Sequence, residues 1–129
     1  MISDFFDSII QLLFLSPAVS AFNVLKQVEG EDEGYHRIKC TLANKDILEF
    51  AEYVRIVKKR IHIVTYSFHW QNRRGKLIKR WDNVRHHPEI ETFPYHVHLT
   101  DGSVSGSVPV IFDNVLKEIE SVVLSQRAK

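Results

Sequence analysis

Apolar and polar positions alternate along the chain in a way that predicts a helix, a series of strands and a second helix. Residues 2–15 have apolar side chains on too many sides for a helix with one solvated side, and Pro17 ends this segment. Residues 20–99 mostly alternate, as half-buried strands do. After Pro109 the apolar positions regain helical spacing, at Phe112, Val115, Leu116, Ile119, Val122 and Val123.

The alternating region predicts about six strands joined mostly by hairpin turns. They cover residues 20–28, 35–43, 47–57, 60–71, 76–82 and 95–99. A slip in the alternation within residues 47–57 predicts a β-bulge or a helical turn. Because no βαβ pattern occurs, we expect an α+β fold with a single antiparallel sheet, flanked by an N-terminal and a C-terminal helix. Residues 1–129 together have the size of one domain.

The hairpin between the fourth and fifth predicted strands separates an aromatic side from a polar side. Its loop is Asn72-Arg73-Arg74-Gly75, and pairing Gln71 with Lys76 would place Tyr66 opposite Trp81. One face then carries the large aromatic side chains of Tyr66, Phe68, Trp70 and Trp81. The other face carries hydroxyl, imidazole, guanidinium and carboxylate groups, from Thr65, Ser67, His69, Arg80 and Asp82. We expect the aromatic face to pack against a helix.

The middle third of the chain is basic, although the formal net charge of the whole chain is only +1. Residues 55–87 contain 10 Lys or Arg and one acid, whereas residues 1–54 contain 4 against 9 and residues 88–129 contain 3 against 6. Such a segment attracts phosphate backbones or acidic protein partners, unless the acidic flanks simply neutralise a solvated pair of strands. The candidate nucleic-acid contacts are Lys58, Lys59, Arg60, Arg73, Arg74, Lys76, Lys79 and Arg85.

Six of the seven histidines lie between His62 and His98. The candidate catalytic residues are His69, Arg80, Asp82, His86, His87, His96 and His98. His96 and His98 are two apart in a predicted strand, so both imidazoles point to one face. We expect a solvent-open cleft shared by Arg80, Asp82, His86, His96 and His98.

Two chemistries fit this cluster. Two imidazoles could act as a metal-free acid–base pair while Arg80 holds a phosphate. Alternatively, a divalent transition metal could bind to Asp82, His86, His96 and His98. No other cofactor is expected. The simplest interpretation is that the histidines only cap turns. It explains a single histidine better than it explains six in one stretch.

Several other classes of protein do not fit the sequence. The single cysteine, Cys40, excludes an internal disulfide, and its position in a predicted strand favours a core residue over a nucleophile. The chain has no P-loop, no GxSxG, no HExxH and no dinucleotide-binding glycine pattern. The apolar start lacks the basic residues of a signal peptide and is too short to span a bilayer, so we expect a cytoplasmic protein without membrane contact. That first helix is either sandwiched in the domain or forms a homodimer or partner interface.

Consecutive motifs of the central stretch point to a known family. They are Tyr66-Ser67-Phe68-His69-Trp70-Gln71, Gly75-Lys76-Leu77-Ile78, Arg80-Trp81-Asp82-Asn83, His86-His87-Pro88 and Phe93-Pro94-Tyr95-His96-Val97-His98. With these motifs the chain resembles the TumE-type toxins of prokaryotic toxin–antitoxin systems. Val84-Arg85 departs from the Ala-Pro associated with the family before its histidine pair. The resemblance implies a toxin neutralised by direct binding of a cognate antitoxin protein, and it implies no catalytic mechanism.

The first functional hypothesis is therefore a toxin that acts on RNA as a small endoribonuclease. Basic strands would hold the RNA backbone, Arg80 the scissile phosphate, and two histidines would transfer protons while Asp82 orients one of them. A second hypothesis is a binding module without catalysis, whose basic residues hold nucleic acid or an acidic antitoxin tail. The third is a metal-dependent enzyme with a histidine-rich site.

Overall fold

The structure is a computed structural model that describes residues 1–83 and 94–127. It begins with helix α1 (Ile2–Leu15) and ends with helix α2 (Phe112–Arg127). The strands between them are β1 (Val19–Glu29), β2 (Glu33–Leu42), β3 (Ile47–Val57), β4 (Arg60–Gln71), β5 (Leu77–Asp82), β6 (His96–Leu99) and β7 (Val104–Gly106). They form one antiparallel sheet in which each strand pairs with its neighbour in the sequence.

The predicted α+β class and the flanking helices are confirmed, and the described residues hold seven strands where about six were expected. The additional strand, β7, has only three residues, within a stretch whose serines and glycines do not indicate a strand. No helix in the described ranges is long and apolar enough to cross a membrane.

Both helices pack on the same face of the sheet, which we call the helix face. Its core joins α1, α2 and alternate strand residues, including Ile9, Leu13, Ile38, Leu48, Phe50, Phe68, Trp70, Trp81, Phe112 and Ile119. Because side chains alternate along a strand, the intervening residues form the opposite face, which we call the open face. Arg37, Glu49, His69 and Arg80 lie there, half-buried or more exposed, and the described parts of the chain place no helix over them.

Helix α1 is amphipathic enough to bury Ile2, Phe6, Ile9 and Leu13 against the sheet. Phe14 and Leu15, at its C-terminal end, remain about three-quarters exposed. The expected interface between this helix and a second copy or a partner stays a prediction.

The β4–β5 hairpin has the predicted faces but not the predicted register. Phe68, not Tyr66, lies opposite Trp81, so the expected pairing is wrong by two residues. A shift of two residues preserves the faces because the side-chain period of a strand is two. A register irregularity before Gln71 and a loop closed by Gly75 at φ 88° account for the difference.

The register of β3 with β4 shifts between Tyr53 and Val54, within the predicted segment, but the extra residue is Val64 of β4. β3 itself keeps a constant register with β2, and its apparent slip in alternation arises because the polar Glu52 lies on the helix face.

The β4–β5 pairing ends at Ser67 and Asp82, and the side chain of Asn83 continues it. Its amide oxygen accepts a hydrogen bond from the backbone N–H of Tyr66 at 2.8 Å, and its amide nitrogen donates to the carbonyl of Val64 at 3.0 Å. This amide anchors the chain just after β5.

Candidate functional site

The candidate site is centred on the carboxylate of Asp82, at the end of β5. Oδ1 lies 2.6 Å from Nε2 of His96, and Oδ2 lies 3.0 Å from Nε of Arg80 and 3.5 Å from Nε2 of His98. The β5–β6 register produces this cluster, because Asp82 is paired with His96 and Arg80 with His98. Four of the predicted site residues therefore meet on the open face.

The cluster is more deeply buried than the predicted solvent-open cleft. Asp82 and His96 are each 1% exposed, whereas the side chains of His98 and Arg80 are 22% and 32% exposed. Of these four residues, only His98 and Arg80 are therefore in a position to touch a substrate, while Asp82 and His96 form the base of the site.

A hydrogen bond to the backbone fixes the position of one hydrogen on the ring of His96. Nδ1 lies 2.8 Å from the backbone carbonyl of Pro94, which only accepts, so Nδ1 carries the hydrogen. The other nitrogen, Nε2, faces a carboxylate oxygen at 2.6 Å. Two lone pairs do not approach this closely, so a proton lies between these two atoms.

Asp82, His96 and His98 also fit a metal ion. Their ligand atoms all lie within 4.8 Å of one another. Imidazole and carboxylate ligands suit transition metals, and a ligating histidine usually donates its second N–H to a carbonyl, as His96 does to Pro94. A metal ion bound there would supply Lewis-acid chemistry at the base of the site, and Arg80 would hold one carboxylate oxygen of Asp82 in place.

His69 supports Arg80 from the neighbouring strand. Arg80 donates from Nη1 to Nδ1 of His69 at 3.2 Å, and Nε2 of His69 lies 3.1 Å from the amide oxygen of Gln71. Because an arginine only donates, His69 accepts at Nδ1 and carries its hydrogen at Nε2. In this arrangement His69 positions the guanidinium and has no ring nitrogen available for proton transfer.

Most of the remaining predicted site residues that the structure describes lie at two turns. Lys58, Lys59 and Arg60 lie at the β3–β4 turn, where Lys58 and Lys59 have φ of 51° and 64°. Arg73, Arg74 and Lys76 lie at the β4–β5 turn, which is the opposite end of β4. His86, His87 and Arg85 lie outside the described residues.

Lys79 is separated from the other basic candidates. It lies on the helix face, where its ammonium group contacts Glu118 of α2 at 2.9 Å and sits over the ring of Trp81, 4.8 Å from the centroid. The structure therefore does not bring Lys79 to the surface that carries Arg80 and His98.

Sequence reasoning missed Arg37 and Glu49, which join the polar cluster of the open face from β2 and β3. Arg37 donates from Nε to Glu49 at 2.8 Å, with a second, shorter contact from Nη2. Hydrogen bonds to Tyr35 and Glu49 raise the pKa of Arg37 further above its already high ordinary value, so its charge is permanent. The signal that could have found them is local alternation: Ile38 and Cys40 alternate with Arg37 and Lys39, and Glu49 lies between Leu48 and Phe50.

The seventh histidine, His36, was also missed, and it forms a second histidine–carboxylate pair. Its Nε2 lies 2.7 Å from Glu52 on the helix face, and both side chains are almost fully buried. Phe6 stacks on the imidazole with a centroid distance of 4.3 Å. This pair lies in the interior, so it has no route to a substrate in this structure.

Fold and site together define a small α+β protein with an arginine–histidine–aspartate cluster on the open face of its sheet. The chain belongs to the TumE toxin family, because the family model described as Toxin TumE matches residues 7–123 of its 129 residues. It is therefore the toxin component of a toxin–antitoxin system, and the family implies an antitoxin partner. No curated protein and no solved structure matches the chain.

Proposed function

We propose that this toxin is a cytoplasmic endoribonuclease whose active site is the Asp82 cluster. The observation that carries the proposal is the meeting of two partly exposed groups, Arg80 and His98, over the buried Asp82–His96 pair. An anion-binding guanidinium beside an imidazole is one combination that can catalyse phosphodiester cleavage.

In the proposed mechanism, Arg80 binds the non-bridging oxygens of the scissile phosphate through its terminal nitrogens. Its Nε remains bonded to Asp82, which fixes the direction of the guanidinium. His98 accepts the proton of the 2′-hydroxyl as that oxygen attacks phosphorus. The leaving 5′-oxygen takes a proton from a second group, and a 2′,3′-cyclic phosphate results.

His69 is the described residue best placed to be that second group. Phosphate binding draws the Nη1 of Arg80 away from the 3.2 Å contact with His69, and Nδ1 becomes free to carry a proton. His86 and His87 remain candidates for the same role on the basis of the sequence. A catalytic pair of this kind gives a bell-shaped dependence of rate on pH, and each partner contributes roughly 10²–10⁴ in rate.

The distribution of charge supports an RNA substrate on the open face. On the helix side the two helices carry more acids than bases: α1 and α2 contain Asp4, Asp7, Asp113, Glu118 and Glu120 against Lys117 and Arg127. The basic turns after β3 and β4 lie at the two ends of β4, and the cluster adjoins β4 at Ser67, between them. A polyanion is therefore repelled from the helix side and attracted along β4.

The test is cleavage of RNA by purified toxin, compared with a His98→Ala variant and a His62→Ala control. His62 is an exposed histidine of β4 outside the cluster, so its loss should leave cleavage unchanged. His98→Ala should abolish cleavage while RNA binding and the melting temperature remain those of the wild type. A His98→Ala toxin that binds RNA and remains toxic would instead support the binding-module hypothesis.

A metal-dependent nuclease is the second candidate, favoured by the three converging ligand atoms of Asp82, His96 and His98. Chelators would then remove activity, and zinc or manganese would restore it. Elemental analysis of protein purified without a histidine tag separates this candidate from the metal-free one, because only the metal enzyme should retain a stoichiometric transition metal.

A further inference from the structure

Two depressions lie side by side on the open face, and they share Arg37 and Arg80 as a common border. The smaller, of about 190 Å³, is bounded among the described residues by Tyr35, Thr65 and Ser67. The larger, of about 300 Å³, is bounded by Lys39, Ile47, Glu49, His69 and Gln71. Two guanidinium groups thus separate two concave sites.

The smaller depression exists because β3 has a small residue at its centre. Ala51 forms the floor, between the longer side chains of Glu49 and Tyr53 on the same face of β3. Arg37, Ala51, Ser67 and Asp82 are successive cross-strand partners on β2, β3, β4 and β5. Neighbouring strands are about 4.8 Å apart, so Arg37 and Asp82 are separated by roughly 14 Å of sheet, with this depression between them.

The walls of the smaller depression suit a nucleobase. Tyr35 supplies an aromatic side chain, and Thr65 and Ser67 supply hydroxyl groups that donate or accept hydrogen bonds. Unpaired bases bind to proteins by stacking on aromatic side chains and by hydrogen bonds to their edges. The larger depression offers a carboxylate, an amide and an imidazole, from Glu49, Gln71 and His69, which suit the polar edge of a second base.

We propose that these depressions receive the two bases of single-stranded RNA that flank a phosphate held by Arg37 and Arg80. The inference rests on the proposed ribonuclease function, and it adds the substrate class: unpaired RNA read at two adjacent nucleotides. Duplex RNA does not fit, because its bases are stacked inside the helix and could not enter depressions on a sheet.

The test compares binding of two probes by fluorescence anisotropy. One is a single-stranded 2′-O-methyl octaribonucleotide, which cannot be cleaved by attack of a 2′-hydroxyl, and the other is an abasic octamer with the same number of phosphates. The wild-type toxin should prefer the probe that carries bases. Tyr35→Leu removes the ring, and Ala51→Leu fills the smaller depression from its floor. Each variant should bind the base-bearing probe roughly 5- to 150-fold more weakly than the wild type, as expected for one lost base stack.

Both variants should bind the abasic probe as the wild type does, since the arginines are intact. Ser125→Leu, an exposed site on α2, is the matched control for adding a leucine side chain. Tyr35→Phe keeps the ring and should retain the preference, which separates stacking from loss of the hydroxyl. If Ala51→Leu fails to fold, the two Tyr35 variants still decide the question.

Equal binding of the two probes by the wild type, or an unchanged preference in Tyr35→Leu, would overturn the inference. A wild-type toxin that prefers bases but does not cleave unmodified RNA would refute the ribonuclease and leave the two-base site standing. Cleavage of RNA without any preference for the base-bearing probe would refute the two-base site and leave the ribonuclease standing.

Discussion

The two buried histidine–carboxylate pairs of this toxin have similar local geometry and different surroundings. His36 and Glu52 are cross-strand partners on the helix face, and His96 and Asp82 are cross-strand partners on the open face. The distances between the paired atoms are 2.7 Å and 2.6 Å. All four side chains are at most 1% exposed.

The difference lies in what surrounds each pair. Around His36, the aromatic rings of Phe6 and Phe50 pack at centroid distances of 4.3 Å and 5.8 Å. Within the described residues, Nδ1 of His36 and Oε2 of Glu52 have no hydrogen-bond partner. Asp82, in contrast, connects to Arg80 and His98, which reach solvent. A histidine–carboxylate pair therefore becomes a candidate active site through its polar, accessible neighbours.

The largest expected effect is on the rate of RNA cleavage, when the carboxylate of each pair is replaced by an amide of the same shape. Asp82→Asn keeps the shape of the side chain but removes the charge that holds Arg80 and His96. It should lower the rate of RNA cleavage by roughly 10²–10⁴. Glu52→Gln should leave the rate of the folded enzyme unchanged. Rates are measured with enzyme shown to be folded by circular dichroism, and equal losses in the two variants would contradict the comparison.

The second-largest expected effect is a loss of stability when the histidine–carboxylate pair on the helix face is broken. Glu52→Ala leaves the imidazole of His36 buried without its partner, which should cost roughly 3–5 kcal/mol in the free energy of unfolding. Urea denaturation monitored by tryptophan fluorescence measures this loss. The exposed Glu29→Ala of β1 is the control, and it should change stability by less than about 0.5 kcal/mol. A stable Glu52→Ala protein would show that the pair is not structural.

The pKa of the Cys40 thiol measures how completely water is excluded from the core on the helix face. Burial raises the pKa of its thiol from 9.0 to about 12. Between these values the unfolded chain releases the thiol proton and the folded chain keeps it, so the stability present below pH 9 is lost as pH rises towards 12. Wild type should therefore lose stability faster than Cys40→Ala above pH 9, by up to about 1.4 kcal/mol per pH unit. Parallel stability curves for the two proteins would indicate a hydrated thiol.

The smallest expected effect is on the salt dependence of RNA binding, when charges at the β4–β5 turn are removed. Replacing Arg73 and Arg74 by Gln removes two charges from the β4–β5 turn and should reduce the slope of log affinity for single-stranded RNA against log salt by about 0.7 per lost phosphate contact. Lys117→Gln, on the exposed side of α2, should leave the slope unchanged. If instead only Lys117→Gln changes the slope, RNA binds to the helix side and the comparison of faces is reversed.

The sequence alone determined the two helices, six of the seven strands and the faces of the sheet. Alternation assigned Tyr66, Phe68 and Trp81 to the helix face and His69, Arg80 and Asp82 to the open face, and the wrong register left those faces intact because it was displaced by two residues. The motifs from Tyr66 to His98 also led to the toxin family, which the family model confirms.

Only the tertiary structure decided which polar groups meet and which are buried. The same pattern is compatible with several registers, so the pairing of Asp82 with His96 rather than with another histidine depends on the β5–β6 register. His36 looked like an isolated histidine because its partner, Glu52, belongs to another strand. Local alternation places Arg37 on the open face, but its contact with Glu49 depends on the pairing of β2 with β3. Such contacts arise from strand pairing between distant segments, and no local pattern in the chain encodes them.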